Sequence, residues 1–193
     1  MKPDRLNAFT DGFFAIVITV MVLELHVPEG TGFEAFRPEL PLFAAYVLSF
    51  IYVGLYWNNH HHMMNSAKRV DGRVLWSNLG LLFWLSLFPF VIRWVGERGV
   101  TLLPVAAFGL VLFMAAIFYW VLERSLIAAE GDASEIAKAV GAKQKEWISM
   151  AGYVLGLASD FLVSPYLAVA FYIAVAILWL VPDQRFERRL QAR

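Results

Sequence analysis

Six long apolar runs, separated by charged or turn-forming breaks, limit what this chain can fold into. A helix needs roughly 20 mostly apolar residues to cross a hydrocarbon core about 30 Å thick. The runs cover residues 6–25, 42–59, 74–95, 102–122, 147–163 and 166–181, and the last two meet at Ser164 and Pro165. The sequence therefore predicts an all-α integral membrane protein in which residues 1–193 form a single domain of six transmembrane helices. Because the last two runs are short, a re-entrant or interfacial pair is the alternative for them.

The composition supports the bilayer as the solvent. Hydrophobic residues make up 60% of the chain and charged residues only 17%, too few to cover the surface of a water-soluble globule. The net charge is zero, with 16 basic and 16 acidic residues, which indicates no nucleic-acid partner. The chain has no cysteine, so disulfides, thiolate metal sites and cysteine nucleophiles are excluded.

The distribution of lysine and arginine predicts the orientation. These residues concentrate on the cytoplasmic side of membrane proteins. With six helices and both termini in the cytoplasm, the outside holds only Arg37, Arg93 and Arg98. The cytoplasmic side then holds Lys2, Arg5, Lys68, Arg69, Arg73, Arg124, Lys138, Lys143, Lys145, Arg185, Arg188, Arg189 and Arg193. The longest segment between runs, residues 123–146, is predicted to contain a short amphipathic cytoplasmic helix.

The first run carries a narrow line of residues at helical spacing. Gly12, Ile16, Thr19 and Leu23 follow one another at steps of four, three and four residues, with Val20 beside them. We call these five residues the stripe. If identical subunits surround an axis with this face inward, each residue becomes a ring. The alternative is that its aliphatic side chains face lipid or pack within the subunit.

Asp11 is the unusual residue of the same run. A carboxylate at mid-depth in a bilayer costs about 2.5–3.5 kcal/mol on insertion scales, so it usually faces protein or water and has a partner. The candidate partners are Arg5 and the histidines at the end of the second run.

The polar residues of the first run also carry a family resemblance. Arg5, Phe9, Thr10 and Asp11 resemble the Arg-x-x-x-Phe-Ser-Asp signature of the transmembrane protein 175 family of potassium channels, with Thr where the family usually has Ser. Three further segments resemble the same family: Tyr56-Trp57-x-x-His60-His61, Trp76-x-Asn78 and Leu87-Phe88-Pro89-Phe90.

The resemblance implies a homotetramer whose first helices line a central pore without a carbonyl selectivity filter. The family's pore residues fall five, eight and twelve positions after the signature aspartate, which are Ile16, Thr19 and Leu23 here. These three residues all belong to the stripe. The implied function is a potassium-preferring cation channel, with a hydrophobic constriction as filter and possible gate. The implied partners are the chain itself, lipid and monovalent cations.

The signature residues lie too near the cytoplasmic end to form the filter. Arg5, Phe9, Thr10 and Asp11 are therefore predicted to form a brace, meaning polar contacts that tie the first helix to the second and third. The proposed brace partners are His60, His61, Trp76 and Asn78. A solvated pair of Arg5 and Asp11 at the pore mouth is the alternative.

Other functions find less support in the sequence. A secondary transporter would be expected to show internal repeats or paired interrupted spans, and neither is visible. An enzyme needs an acid–base or nucleophile constellation at one depth, and none occurs, so no catalytic residue is predicted. Consecutive histidines on a helix point about 100° apart, which disfavours a metal site, and no cofactor is predicted. A non-conducting membrane scaffold stays open. The absence of targeting segments and the small chain indicate a prokaryotic plasma membrane.

Overall fold

The computed structural model describes residues 3–131 and 144–180, and within these ranges every regular element is a helix. The elements in chain order are α1 (Pro3–Leu23), α2 (Phe33–Phe36), a 3-10 turn (Arg37–Glu39), α3 (Leu40–Asn65), α4 (Gly72–Leu85), α5 (Phe88–Arg98), α6 (Leu102–Glu130), α7 (Gln144–Leu162) and α8 (Pro165–Leu180). A helix therefore lies at each of the six predicted positions, and the all-helical prediction is confirmed.

Four segments are long and apolar enough to cross a membrane within the described ranges. They are Pro3–Leu23, Phe33–Asn65, Gly72–Arg98 and Leu102–Glu130. The helix α8 is apolar but has only 16 residues, and α7 does not meet the same criterion. The chain is thus a multi-pass membrane protein, while the count of six crossings stays a prediction.

The third predicted span differs from the expected continuous helix. It divides at Ser86 and Leu87 into α4 and α5. Pro89 lies in the first turn of α5. Backbone N–H groups in the first turn of a helix have no helical acceptor, so a proline is tolerated there and favours a new helix start. The break follows from this proline, which the prediction from run length did not take into account.

The third span has a recognisable signal at each end, and the fourth span has one at its C-terminal end. The side chain of Asp71 accepts a hydrogen bond of 3.0 Å from the Val74 N–H and caps α4. Gly99 and Gly131 follow α5 and α6 with φ of 70° and 92°, conformations that favour glycine. The helix α6 continues through Glu123 to Glu130, and residues 132–143 of the predicted cytoplasmic helix lie outside the described residues.

The core joins all the long helices. The first helix packs on α3 and α5, the helix α4 packs on α6, and α6 also packs on α7 and α8. Close contacts depend on glycine, as is common in membrane bundles. A Cβ atom at Gly80 of α4 would overlap the ring of Phe118 of α6, and one at Gly156 of α7 would overlap Tyr172 of α8. The first helix is therefore held on one side by a rigid scaffold.

Candidate functional site

The first helix has one packed face and one open face. Its buried residues recur at steps of three and four and pack against the rest of the subunit. They are Leu6, Thr10, Phe14, Val17 and Met21. At about 100° per residue, the stripe lies on the opposite side of the helix. The subunit therefore covers the half of α1 that does not carry the stripe.

Every residue of the stripe is exposed in the single subunit. Ile16 is 64% exposed and Leu23 is 75% exposed. No atom outside the helix lies within 4 Å of a Cβ built at Gly12. This removes one alternative from the sequence analysis, because the stripe does not pack within its own subunit. This face can therefore border a pore axis, a neighbouring subunit or lipid.

The hydroxyl of Thr19 is oriented by its own helix. Its Oγ1 donates a hydrogen bond of 2.9 Å to the carbonyl of Ala15. A hydroxyl has one donor and two acceptor lone pairs. With the donor engaged, the oxygen of Thr19 presents only acceptor capacity to its surroundings. An acceptor oxygen between two apolar residues is suited to a cation and not to an anion.

A buried chain of hydrogen bonds joins α1, α3 and α4. The side-chain amide of Asn78 donates to Oγ1 of Thr10 at 3.0 Å, and Oδ1 of Asn78 lies 2.8 Å from Nε2 of His60. All three residues have no exposed surface. The structure thus brings together three of the residues predicted for the brace. The extra methyl of Thr10, compared with the Ser usual in the family, is accommodated in the core.

Asp11 has a partner that the sequence analysis did not assign. Its Oδ1 accepts a hydrogen bond of 2.9 Å from the indole N–H of Trp57. The partner is therefore neither Arg5 nor a histidine. His61 takes part indirectly, since its ring lies 5.9 Å from that of Trp57 and its Nε2 is 2.9 Å from Nδ2 of Asn65.

Three of the predicted brace residues lie outside these contacts. Arg5 and Phe9 are exposed, and Phe9 is 57% exposed. Trp76 is 76% exposed, on the face of α4 away from Asn78. Within the described residues of one subunit, Arg5 forms no hydrogen bond or ion pair, so a pair of Arg5 with Asp11 is not observed. No contact within the described residues of one subunit supports a brace role for Arg5, Phe9 or Trp76.

The far end of the first helix carries charged groups. Glu24 follows Leu23 and lies 4.0 Å from Nε of Arg93, which also donates to Oε1 of Glu97 at 2.9 Å. These side chains form a charged group at the predicted extracellular end of the first helix. Sequence analysis did not single them out as a group, because Arg93 and Glu97 belong to another span.

The comparisons with known proteins decide the family. Residues 5–89 match the family model described as endosomal/lysosomal potassium channel TMEM175. A protein from Chryseobacterium sp. (strain P1-3), named as a potassium channel, is 51% identical over 191 residues, which cover 99% of both chains. This chain belongs to the TMEM175 family. The resemblance inferred from the first helix is thereby confirmed.

Other TMEM175 relatives extend the match to the fold. The crystal structure of a homologue from Chamaesiphon minutus, titled a lysosomal potassium-selective channel TMEM175 homologue, superposes with a TM-score of 0.74 at 26% identity and covers 93% of this chain and 96% of that one. A protein of Bos taurus named as an endosomal/lysosomal proton channel is 26% identical over 170 residues. The match covers 75% of this chain and 33% of the bovine protein. TMEM175 proteins are channels and not enzymes, as the sequence analysis predicted.

Proposed function

We propose that this chain forms a potassium-preferring cation channel in which the first helix of each of four identical subunits lines a central pore. Membership of the TMEM175 family supports the activity, since the bacterial relatives at 51% and 31% identity are named as potassium channels. The exposed stripe supports the place of the pore. A bacterial chain with both termini in the cytoplasm and six crossings of the plasma membrane accounts for the charge distribution.

Fourfold symmetry turns the stripe into rings. Ile16 and Leu23 form two apolar constrictions, and Thr19 places a ring of oxygens between them, with Val20 beside it. An ion that passes an apolar ring loses part of its hydration shell, and potassium holds its water less tightly than sodium. The Thr19 oxygens replace part of that water. Dewetting at Ile16 or Leu23 closes the pore, and no cofactor is required.

The brace keeps this geometry fixed. The contacts from Thr10 to Asn78 and from Asp11 to Trp57 hold the cytoplasmic half of α1 at two points against α3 and α4. A constriction discriminates between ions only if its radius is defined, and the radius depends on where each α1 lies relative to the axis. We therefore assign the brace a positioning role, distinct from the filter.

The observation that carries the proposal is the exposure of Ile16 on a helix whose opposite face is buried. The test is flux of potassium and sodium into liposomes that contain the purified protein, with Ile16→Ala beside the wild type. Ile177→Ala is the matched control, because Ile177 is 55% exposed on α8. We expect selective potassium flux in the wild type and the control, and increased, less selective flux in Ile16→Ala.

Two results would overturn this assignment. Equal effects of the two isoleucine substitutions would remove the pore from the stripe. Absence of flux in the wild type at every gradient would favour a transporter or a non-conducting scaffold.

Because a vertebrate relative is named as a proton channel, the same liposomes are also tested with a proton gradient and a pH-sensitive dye. Proton flux without potassium flux would change the permeant ion but not the pore helix.

A further inference from the structure

A cavity lies between α3, α6, α7 and α8, apart from the first helix. Its empty volume, including the open mouth, is about 500 Å³. Within the part of the chain that the structure describes, no residue of α1 lines it. The cavity therefore takes no part in the proposed pore. The residues that line it are best explained by a separate ligand.

The walls of the cavity are mainly aromatic. The rings of Tyr56 in α3 and Tyr119 in α6 have centroids 5.9 Å apart and planes inclined at 60°, and Tyr153 of α7 adds a third ring. Trp179 of α8 closes another side. Its indole N–H donates to Oγ of Ser149 at 2.7 Å, which fixes the plane of the ring. Aromatic faces carry negative electrostatic potential, so a group of them favours a cation with an apolar body.

One acidic side chain in this aromatic wall lacks a partner. Glu146 lines the cavity, and its Oε2 is buried without a hydrogen bond. Within the described residues Glu146 forms no ion pair either. A carboxylate oxygen that is shielded from water and has no partner loses part of its hydration, and a bound cation offsets that loss. Asn59 adds an acceptor, because its amide N–H is engaged by the carbonyl of Leu55 at 2.9 Å while its Oδ1 accepts no bond from a described residue.

The protein's own cations already use rings of this cavity. The guanidinium carbon of Arg124 lies 5.6 Å from the ring centre of Trp120, and Nζ of Lys145 lies 6.0 Å from that of Trp179. Arg124 also lies 3.9 Å from Oε1 of Glu123. Positive charge is therefore already found beside two rings of this wall, while Glu146 forms no ion pair within the described residues.

We propose that this cavity binds a primary alkylammonium group, with the ammonium at Glu146, Asn59 and the ring of Tyr119 and the alkyl chain against Tyr56 and Tyr153. A primary ammonium has three N–H donors, which match a carboxylate and an amide oxygen, whereas a quaternary ammonium has none. The same group occurs in a soluble organic amine and in the headgroup of phosphatidylethanolamine. The proposal concerns binding and stands whether or not the chain conducts potassium.

The test measures binding of n-hexylammonium to the purified detergent-solubilised protein by calorimetry, with 1-hexanol as the neutral analogue. We expect saturable binding of one hexylammonium per chain and much weaker binding of hexanol. Glu146→Gln keeps the shape and removes the charge, so it should weaken hexylammonium binding about tenfold or more, since a hydrogen bond to a charged group contributes on that scale. Glu29→Gln, at an exposed position far along the chain, is the matched control and should bind as the wild type does.

A second pair of variants tests the aromatic wall. Tyr119→Phe keeps the ring and should retain most of the affinity, whereas Tyr119→Leu should lose about threefold to thirtyfold, the range of a cation–π contact. Equal binding of hexanol and hexylammonium, or unchanged binding in both Glu146→Gln and Tyr119→Leu, would overturn the proposal. The first result would indicate an apolar cavity, and the second would place the amine elsewhere, such as in the pore.

The source of the amine is distinguished by competition. Phosphatidylethanolamine and phosphatidylcholine are each added to the protein at the same molar ratio before hexylammonium is titrated. A loss of apparent affinity with phosphatidylethanolamine alone supports the site and assigns it to a lipid headgroup. No loss with either lipid supports the site and assigns it to a soluble amine. An equal loss with both lipids overturns recognition of the primary ammonium.

Discussion

The side-chain amide of Asn78 reaches across from α4 to donate to the hydroxyl of Thr10, and it also contacts His60 of α3. One side chain thereby fixes the relative positions of three helices. All three residues are completely buried, so the polar atoms have no water to replace a lost partner. The contact between Asn78 and Thr10 is therefore a suitable place to measure how firmly the first helix is held.

A double-mutant cycle gives this measurement. Thr10→Val and Asn78→Leu each remove one partner, and the double variant removes both. We expect a coupling free energy of about 0.6–1.7 kcal/mol, the range for hydrogen bonds between helices in membranes. Thermal unfolding in detergent measures it. The control cycle pairs Thr10→Val with Ser77→Ala, because the Ser77 hydroxyl bonds only within its own helix, to the carbonyls of Arg73 and Val74. Coupling in the control cycle as large as in the first would show that the contact has no specific role.

The close approach of α4 and α6 at Gly80 makes a second prediction. A Cβ atom there would overlap the ring of Phe118, whereas one at Gly54 of α3 would meet nothing within 4 Å. Gly80→Ala should therefore lower stability by about 1–3 kcal/mol through overpacking, and Gly54→Ala should not. Thermal unfolding of both variants checks this. Phe118→Leu in the Gly80→Ala background should recover part of the loss, and failure to do so would mean that the two helices separate for another reason.

The start of α4 supplies a third prediction. The carboxylate of Asp71 accepts from the Val74 N–H, so Asp71→Ala should destabilise the helix start by about 0.5–2 kcal/mol, while Asp71→Asn keeps an acceptor and should have little effect. Hydrogen exchange of the amides in the first turn of α4 is the measurement. Equally fast exchange in both variants would mean that the charge of Asp71, and not its capping bond, protects this turn.

The positions of the helices were predictable because the length of an apolar run is a direct requirement of the bilayer. The stripe was predictable for a related reason, since a helix repeats every 3.6 residues and its exposed and buried faces separate in the sequence. In the structure, Ile16 and Leu23 lie on the face opposite Phe14 and Met21. The proposal that the stripe lines a pore came only from the family resemblance, because periodicity does not distinguish a pore-lining face from a lipid-facing one.

Contacts between helices were less predictable. Trp57 lies 46 positions from Asp11, and a tryptophan near a helix end fits the membrane interface equally well. Pro89 was visible, but proline is tolerated within membrane helices, so the break before α5 did not follow from run length. The aromatic cavity needs residues from four helices, and no spacing along the chain places Tyr56 beside Tyr119 or Glu146 beside either.

The oxygen of Thr19 supplies the last prediction, which rests on the proposed pore. Its hydroxyl donates to the Ala15 carbonyl and leaves its lone pairs on the exposed face between Ile16 and Leu23. Thr19→Val keeps the shape of the ring and removes the oxygens, so the potassium to sodium flux ratio should fall about threefold to tenfold, equivalent to roughly 1 kcal/mol of ion stabilisation. Thr19→Ser keeps the oxygens and should retain most of the preference. Flux of each ion into liposomes under matched gradients is the measurement. A ratio unchanged in Thr19→Val would assign selectivity to the apolar rings alone, because the remaining difference between the two ions would then be the cost of dehydration.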